Sequence, residues 1–411
     1  MDRIILHSDI NNFYASVECL YNPSIRNEPV AVGNNSDTTY GVVLAKNYLA
    51  KKFQIKTGES LWEAKRKCPE LVIVPANFDR YLRFSKMAIA IYKDYTNQIE
   101  SFGLDECWLD VTNSPYGDGE TIANTIRKRI KSELGVTVSI GVSFNKIFAK
   151  LGSDLKKPDA TTVIHRDNFK NEIWNLDVRE LLCVGKSTQK TLKKYNIFTI
   201  GDLANTSPKF IRRVLGKRGE EIWSFANGYD SSTVSELGSK TPIKSIGNST
   251  TTKNNLETYD EVKIILQKLV ESVTERLRKH KLVCSTIQIT VRDNTLFTYE
   301  RQVTLDIPCS STNEIFDKSF ELFKTHHSPF LPVRKLGVRA CNLSDANITQ
   351  LSFDEQFIDV QKHEELDKTI DSLRYRFGHF AVQRGVSLVD TELSSLNPKD
   401  DHKIHPIAWT K

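Results

Sequence analysis

Apolar and polar positions alternate along this chain with two different periods, and the switches between them outline its elements. Ile4-Ile5-Leu6 is a short unbroken apolar run of buried-strand type that leads straight into Asp9. Phe13 to Glu18 then reads as a helix start, with Asn11 and Asn12 before it as cap residues. Pro29–Val32 and Gly41–Ala45 predict short strands, and Asn47–Phe53 and Ser60–Lys67 predict helices. Residues 76–100 predict a helix with an apolar stripe through Tyr81, Phe84, Met87, Ile91 and Tyr95. Ile122, Ile126, Ile130 and Leu134 recur every four residues, which predicts a helix from Gly119 that stops at Gly135. Val136–Ile140 alternates as a strand, and Asn145 to Leu151 starts another helix. Strands and helices thus alternate as in a split βαβ layer.

Beyond residue 165 the pattern changes to helices punctuated by glycine, at Gly185, Gly201, Gly216 and Gly219. Residues 232–243, rich in Ser, Thr, Gly, Lys and Pro, read as a tether. Lys244–Leu343 then predicts strand, helix, strand, strand, helix, strand. Residues 360–388 predict one or two amphipathic helices with Leu366, Ile370, Leu373 and Phe377 on the apolar side. The last residues read as frayed.

Composition narrows the classes. A length of 411 residues predicts two to four domains, and 39% hydrophobic residues suffice for real cores. The formal net charge of +6 suits a polyanionic partner without requiring one. Seven scattered cysteines with no CxxC pair point to reduced thiols in a cytosol, and the nine histidines form no zinc-type constellation. No stretch approaches the apolar length of a membrane span, and no signal peptide is expected.

The candidate chemistry centres on Ser101–Val111, where Asp105 and Glu106 stand between Phe102, Leu104, Trp108, Leu109 and Val111. Consecutive strand residues point to opposite faces, so two adjacent acids share a target only at a bend, and Gly103 offers freedom for one. Such a hairpin either carries two solvated acids or holds a counter-charge between them. Asp9, at a strand end just before a helix N-terminus, supplies a possible third carboxylate. Three hard oxygen donors suit Mg²⁺ or Mn²⁺ rather than zinc, and such clusters serve two-metal phosphoryl or nucleotidyl transfer.

Several motifs together resemble the Y-family of translesion DNA polymerases, the DinB/UmuC group. They are Ser8-Asp9 with Asn11, Asn12, Phe13, Tyr14 and Glu18; Ala45 to Phe53 around Tyr48; Leu104-Asp105-Glu106; Gly141 to Lys150; and Lys156-Lys157-Pro158. They stand in the family's order and spacing over residues 1 to about 350. The resemblance implies an α+β multidomain right-hand polymerase. Its ferredoxin-like βαββαβ palm would comprise residues 1–18 and 76–165, and its small fingers 19–75. A helical thumb with a helix-hairpin-helix would span 166–235, a linker 236–243 and an α+β little finger 244–345. A C-terminal tail, 346–411, would carry a clamp-binding peptide.

By the same resemblance Asp9, Asp105 and Glu106 are the catalytic acids, and with the Ile10 carbonyl they bind two Mg²⁺ ions, Mn²⁺ being possible. Phe13 and Tyr14 backbone amides, Tyr48, Lys51 and Lys157 bind the deoxynucleoside triphosphate, and Tyr14 is the steric gate against a 2′-hydroxyl. Gly185, Lys186, Lys244 and Arg334 contact primer-template DNA. Arg276, Arg278, Lys279, Lys281 and Arg339 are further candidates for its backbone, each equally readable as a solvated charge. Gln350, Leu351 and Phe353 bind a sliding clamp. The implied function is low-fidelity translesion synthesis without proofreading, by a cytoplasmic monomer.

Three departures stand out. Lys51 replaces the frequent Arg, which removes a planar fork. Val42 and Leu44 stand where smaller residues often roof the templating base. Cys183-Val-Gly185-Lys186 replaces a Pro-Gly-Ile-Gly hairpin. Lys51-Lys52 with Ile55 to Glu59 looks closer to the UmuC side than to DinB. Two other readings remain: a catalytically inactive member serving as a DNA- and clamp-binding scaffold, and a palm-type nucleotide cyclase.

Overall fold

The opening apolar run forms β1 (Ile5–Ile10), buried along its whole length. The computed structural model describes residues 2–33, 41–239, 242–346 and 355–397. The chain divides into two units with the boundary between Ser239 and Lys240.

In the first unit the chain continues through α1 (Phe13–Tyr21), β2 (Val30–Gly33), β3 (Val43–Lys46), α2 (Tyr48–Lys52), α3 (Leu61–Lys67), β4 (Val72–Pro75), α4 (Phe78–Lys93), β5 (Ile99–Ser101), β6 (Glu106–Asp110), α5 (Gly119–Arg129), β7 (Val138–Ser143), α6 (Lys146–Leu155) and β8 (Thr161–Val163). The main sheet has the order β5-β6-β1-β7-β8, with β6 and β7 antiparallel to β1 on its two sides. Side-chain alternation gives β1 two faces. Leu6 and Ile10 join the core beneath α4 and α5, with Tyr81, Ile91, Ile122 and Ile126. Ile5, His7 and Asp9 take the other face, where Ile5 packs with Trp108 and Ala149 of α6. Full burial of each such aliphatic side chain contributes about 1.5–3 kcal/mol.

Gly141 explains how α6 comes so close. A Cβ there would run into the Ala149 carbonyl and the backbone of Gly152 and Ser153. The helix therefore lies directly on β1 and β7, and its side chains reach the acids on the same face. The expected single helix from Gly119 to Gly135 is instead α5 followed by one wider π turn, Ile130–Leu134. Gly135 closes it in the left-handed region at φ 71°, the stop that the sequence suggested.

A smaller sheet, β3-β2-β4, carries its own core of Ala31, Val43, Ala50, Ile55, Leu61, Ala64 and Leu71. A helical region follows: α7 (Phe169–Ile173), α8 (Lys186–Lys193), α9 (Ile200–Asn205), α10 (Pro208–Leu215) and α11 (Lys217–Ala226). Its core includes Phe148, Ile173, Leu192, Ile211 and Ile222.

The second unit runs β9 (Ser245–Leu256), α12 (Tyr259–Lys279), β10 (Leu282–Asp293), β11 (Thr298–Cys309), α13 (Thr312–His326), β12 (Val333–Asp345), α14 (Glu355–Phe377) and α15 (Thr391–Ser394). Its sheet has the order β11-β10-β12-β9, and Leu269, Val273, Ile287, Ile315 and Val338 fill one side. Here α14 reverses the expected pattern. It buries Val360, Asp367 and Arg374 and leaves Leu366 and Phe377 exposed. Its Asp367, Asp371 and Arg374 turn inward because they find partners there, while Asp359, Lys362, Glu365, Lys368 and Arg376 stay exposed. Arg278 Nε lies 2.7 Å from Asp371 Oδ2, Arg374 Nη1 lies 3.2 Å from Glu271 Oε2, and Arg384 Nη2 lies 3.1 Å from Asp367 Oδ1. Arg278 is therefore committed inside the fold and cannot serve as the DNA contact that its charge suggested. Arg276 likewise donates to the Gly247 and Ser272 carbonyls.

Candidate active site

The register of the main sheet sets Asp9 directly opposite Glu106. Asp105 is the last residue of the turn that joins β5 to β6, and its carbonyl accepts a hydrogen bond from the Ile10 amide at 3.0 Å. The two consecutive acids are thus a turn residue and a strand residue, which is the bend that their pairing required. Gly103 does not make that bend through a left-handed conformation, since it is absent from the residues with positive φ. Nor is a glycine needed there for room, since a Cβ would meet Asp105 Oδ1 at 3.4 Å, an ordinary contact.

Lysines supply the counter-charge. Lys157 Nζ lies 2.6 Å from Asp9 Oδ2, and Lys150 Nζ lies 2.9 Å from Glu106 Oε1 and 3.8 Å from Asp9 Oδ2. Both ammoniums also reach Asp154, at 2.8 Å from Lys157 and 3.2 Å from Lys150. Among the described residues no three His, Cys, Asp or Glu side chains are drawn together closely enough to hold a metal ion as they stand. The expected three-carboxylate convergence is therefore a cluster interleaved with lysines, because like charges at this depth separate unless a cation lies between them.

The electrostatics show how unsettled the acids are. Burial lifts the Asp9 pKa to about 7, against the pull of Lys157 and with the push of Glu106. Burial and the neighbouring Glu106 charge raise Asp105 to about 6. Glu106 is held below the ordinary carboxylate range: burial opposes this, and the His7 contact and the Lys150 ammonium outweigh it. His7 is fully buried, and that burial lowers its pKa to about 4, so it is neutral at neutral pH. Its Nδ1 pairs with Ser153 Oγ at 2.8 Å, its Nε2 lies 3.6 Å from Glu106 Oε2, and its ring meets Trp108 edge-on at 5.2 Å. Ser153 Oγ donates in turn to the Lys150 carbonyl at 2.8 Å, which ties the ring to the helix that carries Lys150.

The remaining expected residues fall into three groups. Phe13 and Tyr14 begin α1 after Asn12, which sits in the left-handed region and makes no side-chain cap. Tyr14 is half-buried, stacked on Tyr81 at 4.2 Å, and both burial and the Asp105 charge raise its pKa. Tyr48 begins α2, and burial, with the Asp9 charge, raises the pKa of its hydroxyl against the pull of Lys157. Lys51 Nζ lies 5.8 Å from the Tyr48 ring centre, on the exposed side of α2. Lys46 is a further cation here, its pKa lowered by burial and by Lys51.

The DNA-contact residues lie elsewhere. Gly185 is the exposed N-cap of α8, Lys186 is its first residue, and a Cβ on Gly185 would meet nothing. The left-handed position of that hairpin is Cys183, at φ 73°. In the second unit Lys244 is exposed just before β9, and Arg334 sits in a register irregularity between Val333 and Lys335. Gln350, Leu351 and Phe353 lie outside the described residues. His7, Lys46, Lys150 and Asp154 were not singled out from sequence. The i,i+4 spacing of Lys150 and Asp154 was the available signal, and it equally describes a solvated helix face.

Residues 8–154 match the impB/mucB/samB family, and residues 243–353 match that family's C-terminal domain. The chain belongs to this family, the Y-family of DNA polymerases. It is 54% identical to DNA polymerase IV of Acetivibrio thermocellus, over 96% of this chain and 100% of that protein. It is 36% identical to DNA polymerase IV of Clostridium acetobutylicum, over 95% and 100%, and 35% identical to DNA polymerase IV 1 of Bacillus subtilis, over 95% and 94%. A solved Y-family DNA polymerase chimera shares the fold with a TM-score of 0.73 at 24% identity, covering 83% of this chain and 99% of that one.

These relatives put the chain on the DinB-like side, which corrects the expected UmuC-like placement. Of the residues behind that expectation, Lys51, Lys52, Lys56, Thr57 and Gly58 are exposed, whereas Glu59 is half-buried and Ile55 buried. Exposed positions are weakly constrained by packing and carry little branch information.

Proposed function

We propose that this DNA-directed DNA polymerase carries out low-fidelity, template-directed translesion synthesis without proofreading. The observation that carries the site assignment is the cross-strand pairing of Asp9 with Glu106, beside Asp105, in a cluster where burial raises the pKa of Asp9 and of Asp105. Such acids favour a divalent cation, since added positive charge removes the cost of ionising them together. Asp9, Asp105, Glu106 and the Ile10 carbonyl would hold two Mg²⁺ ions, or Mn²⁺. Bound there, the ions would ease ionisation of the primer 3′-hydroxyl and stabilise charge on the departing pyrophosphate.

The chain's own residues supply the rest. The α1 N-terminus at Phe13 and Tyr14 offers backbone N–H groups to phosphate. Lys157 and Lys51 add positive charge and Tyr48 a hydroxyl donor, so the triphosphate is gripped from α1, α2 and the segment after α6. Tyr14, braced by its stack on Tyr81, is the steric gate. Gly185, Lys186, Lys244 and Arg334 contact DNA backbone, with affinity that falls steeply with salt. Gln350, Leu351 and Phe353 fit a clamp groove as an extended peptide. No helix among the described residues is long and apolar enough to cross a membrane, and the proposed setting is the cytoplasm, as a monomer.

Primer extension with Mg²⁺ on intact and lesion-bearing templates tests the reading. Template-dependent extension by the wild type, lost in Asp105→Ala, is expected. No extension by either protein would favour the inactive DNA- and clamp-binding scaffold. In a single-nucleotide insertion assay Tyr14→Ala should raise ribonucleotide use at least about tenfold, as the loss of a steric exclusion does. Unchanged discrimination would remove the gate assignment.

A further inference from the structure

Each of the two lysines at the acid cluster also reaches Asp154. Lys157 Nζ lies 2.6 Å from Asp9 Oδ2 and 2.8 Å from Asp154 Oδ1. Lys150 Nζ lies 2.9 Å from Glu106 Oε1 and 3.2 Å from Asp154 Oδ2. Asp154 is therefore the common partner of both ammoniums and offers one oxygen to each. None of the roles above uses it.

We propose that Asp154 is a positioning residue for cation uptake, which keeps Lys150 and Lys157 paired when Asp9 and Glu106 turn to divalent ions. The inference rests on the reading that these acids hold the ions. A divalent cation reaching Asp9 or Glu106 must displace an ammonium already in contact. An ammonium left without an acid at a partly desolvated site costs free energy, and that cost opposes cation entry. Asp154 removes it, because each lysine already has its second partner in place.

Exposure sets the direction of the move. The Asp154 side chain is 42% exposed, against 9% for Asp9 and 21% for Glu106. A lysine that shifts its weight to Asp154 thus shifts toward solvent and away from the acids. Lys150 and Asp154 lie one turn apart on α6, and Lys157 follows the helix end. Side-chain rotation alone accomplishes the exchange, with the backbone held against β1 and β7 by the close approach at Gly141.

Mn²⁺ binding to the full chain, read by electron paramagnetic resonance without DNA or nucleotide, tests this. Asp154→Asn should raise the half-saturating Mn²⁺ concentration by about threefold to tenfold, the scale of one partly buried charge contact. Asp154→Glu should restore wild-type binding, and Lys157→Gln on the Asp154→Asn background should return it toward wild type. Asp159→Asn controls for the general field. It removes a nearby carboxylate that pairs instead with Arg127 and Lys131, and should change binding by less than about twofold. Thermal melting checks that every variant is folded. If the wild type binds no Mn²⁺, the assignment of the acids falls. If the wild type binds and Asp154→Asn binds equally well, or Asp159→Asn weakens binding as much, the role of Asp154 falls and the assignment of the acids stands.

Discussion

The two units each bury a cluster of charge, and the clusters are built on opposite principles. In the second unit three carboxylates, Glu271, Asp367 and Asp371, meet three guanidiniums, Arg278, Arg374 and Arg384. The forks bind two oxygens at a time, and the Thr312 amide adds a hydrogen bond to Asp367 at 2.7 Å. Each carboxylate has a guanidinium partner, so the cluster works as a fastener for α14, although burial still raises the Asp371 pKa. In the first unit four carboxylates, Asp9, Asp105, Glu106 and Asp154, share two lysines and a neutral histidine. Lysine is a point charge that lets go without breaking a planar geometry. Negative charge is left over, and two of the acids are lifted well above their usual range. A saturated cluster fixes structure; an undersupplied one with exchangeable lysines is available for cation chemistry.

The largest expected effects separate the two. Asp105→Ala should lower primer extension by roughly a thousandfold or more, the scale of losing a preorganised electrostatic contact to the reacting groups, with little change in melting temperature. Arg278→Ala should do the reverse to stability, costing the second unit about 3–5 kcal/mol in denaturant unfolding, because it takes both forked contacts from Asp371 and one from the buried Asp367. A stable Arg278→Ala protein would break the distinction.

An intermediate effect comes from pH. Below about pH 4 Asp9 is protonated in both states, and above about pH 7 it is ionised in both. Between these the folded protein keeps a proton that the unfolded chain has lost, so this group's contribution to stability falls as pH rises. Asp105 acts the same way up to about pH 6. The His7 contribution rises with pH between about 4 and 6.5, so the comparison must be made between variants. Asp9→Asn should therefore be about 1–3 kcal/mol more stable than wild type at pH 8 in chelator, with the advantage gone near pH 4. Urea titrations at both pH values measure it, and a constant difference would argue against the raised Asp9 pKa. The smallest effect tests the fork itself. Arg384→Lys, at a position 26% exposed, should cost about 0.5–1 kcal/mol in the same titration, since it keeps the charge and loses the planar double contact.

Much of the site was legible along the chain because local rules placed it. An apolar run that ends in Asp9, a turn between two short strands that carries Asp105 and Glu106, and helix starts at Phe13 and Tyr48 are features of a few consecutive residues. The misreadings share the opposite property. Arg278 looked like a surface cation because its partner Asp367 stands 89 residues away. The stripe Leu366, Ile370, Leu373 and Phe377 looked like the buried side of α14, yet Ile370 and Leu373 are half-buried and Leu366 and Phe377 exposed, because ion-paired residues take the inward positions. Gly103 was read as freedom for the bend at the acids, yet it adopts no left-handed conformation there.

The sequence by itself determined which elements form and which acids end them, since strand alternation, helix period and glycine stops act over short range. Only the tertiary structure decided what stands opposite what. It paired Asp9 with Glu106 through strand register, and brought Lys150 and Asp154 to them through the close approach of α6 at Gly141. It also spent Asp367, Asp371 and Arg374 of α14 inside the second unit. Long-range electrostatic partners are chosen by packing, and no local pattern carries that information.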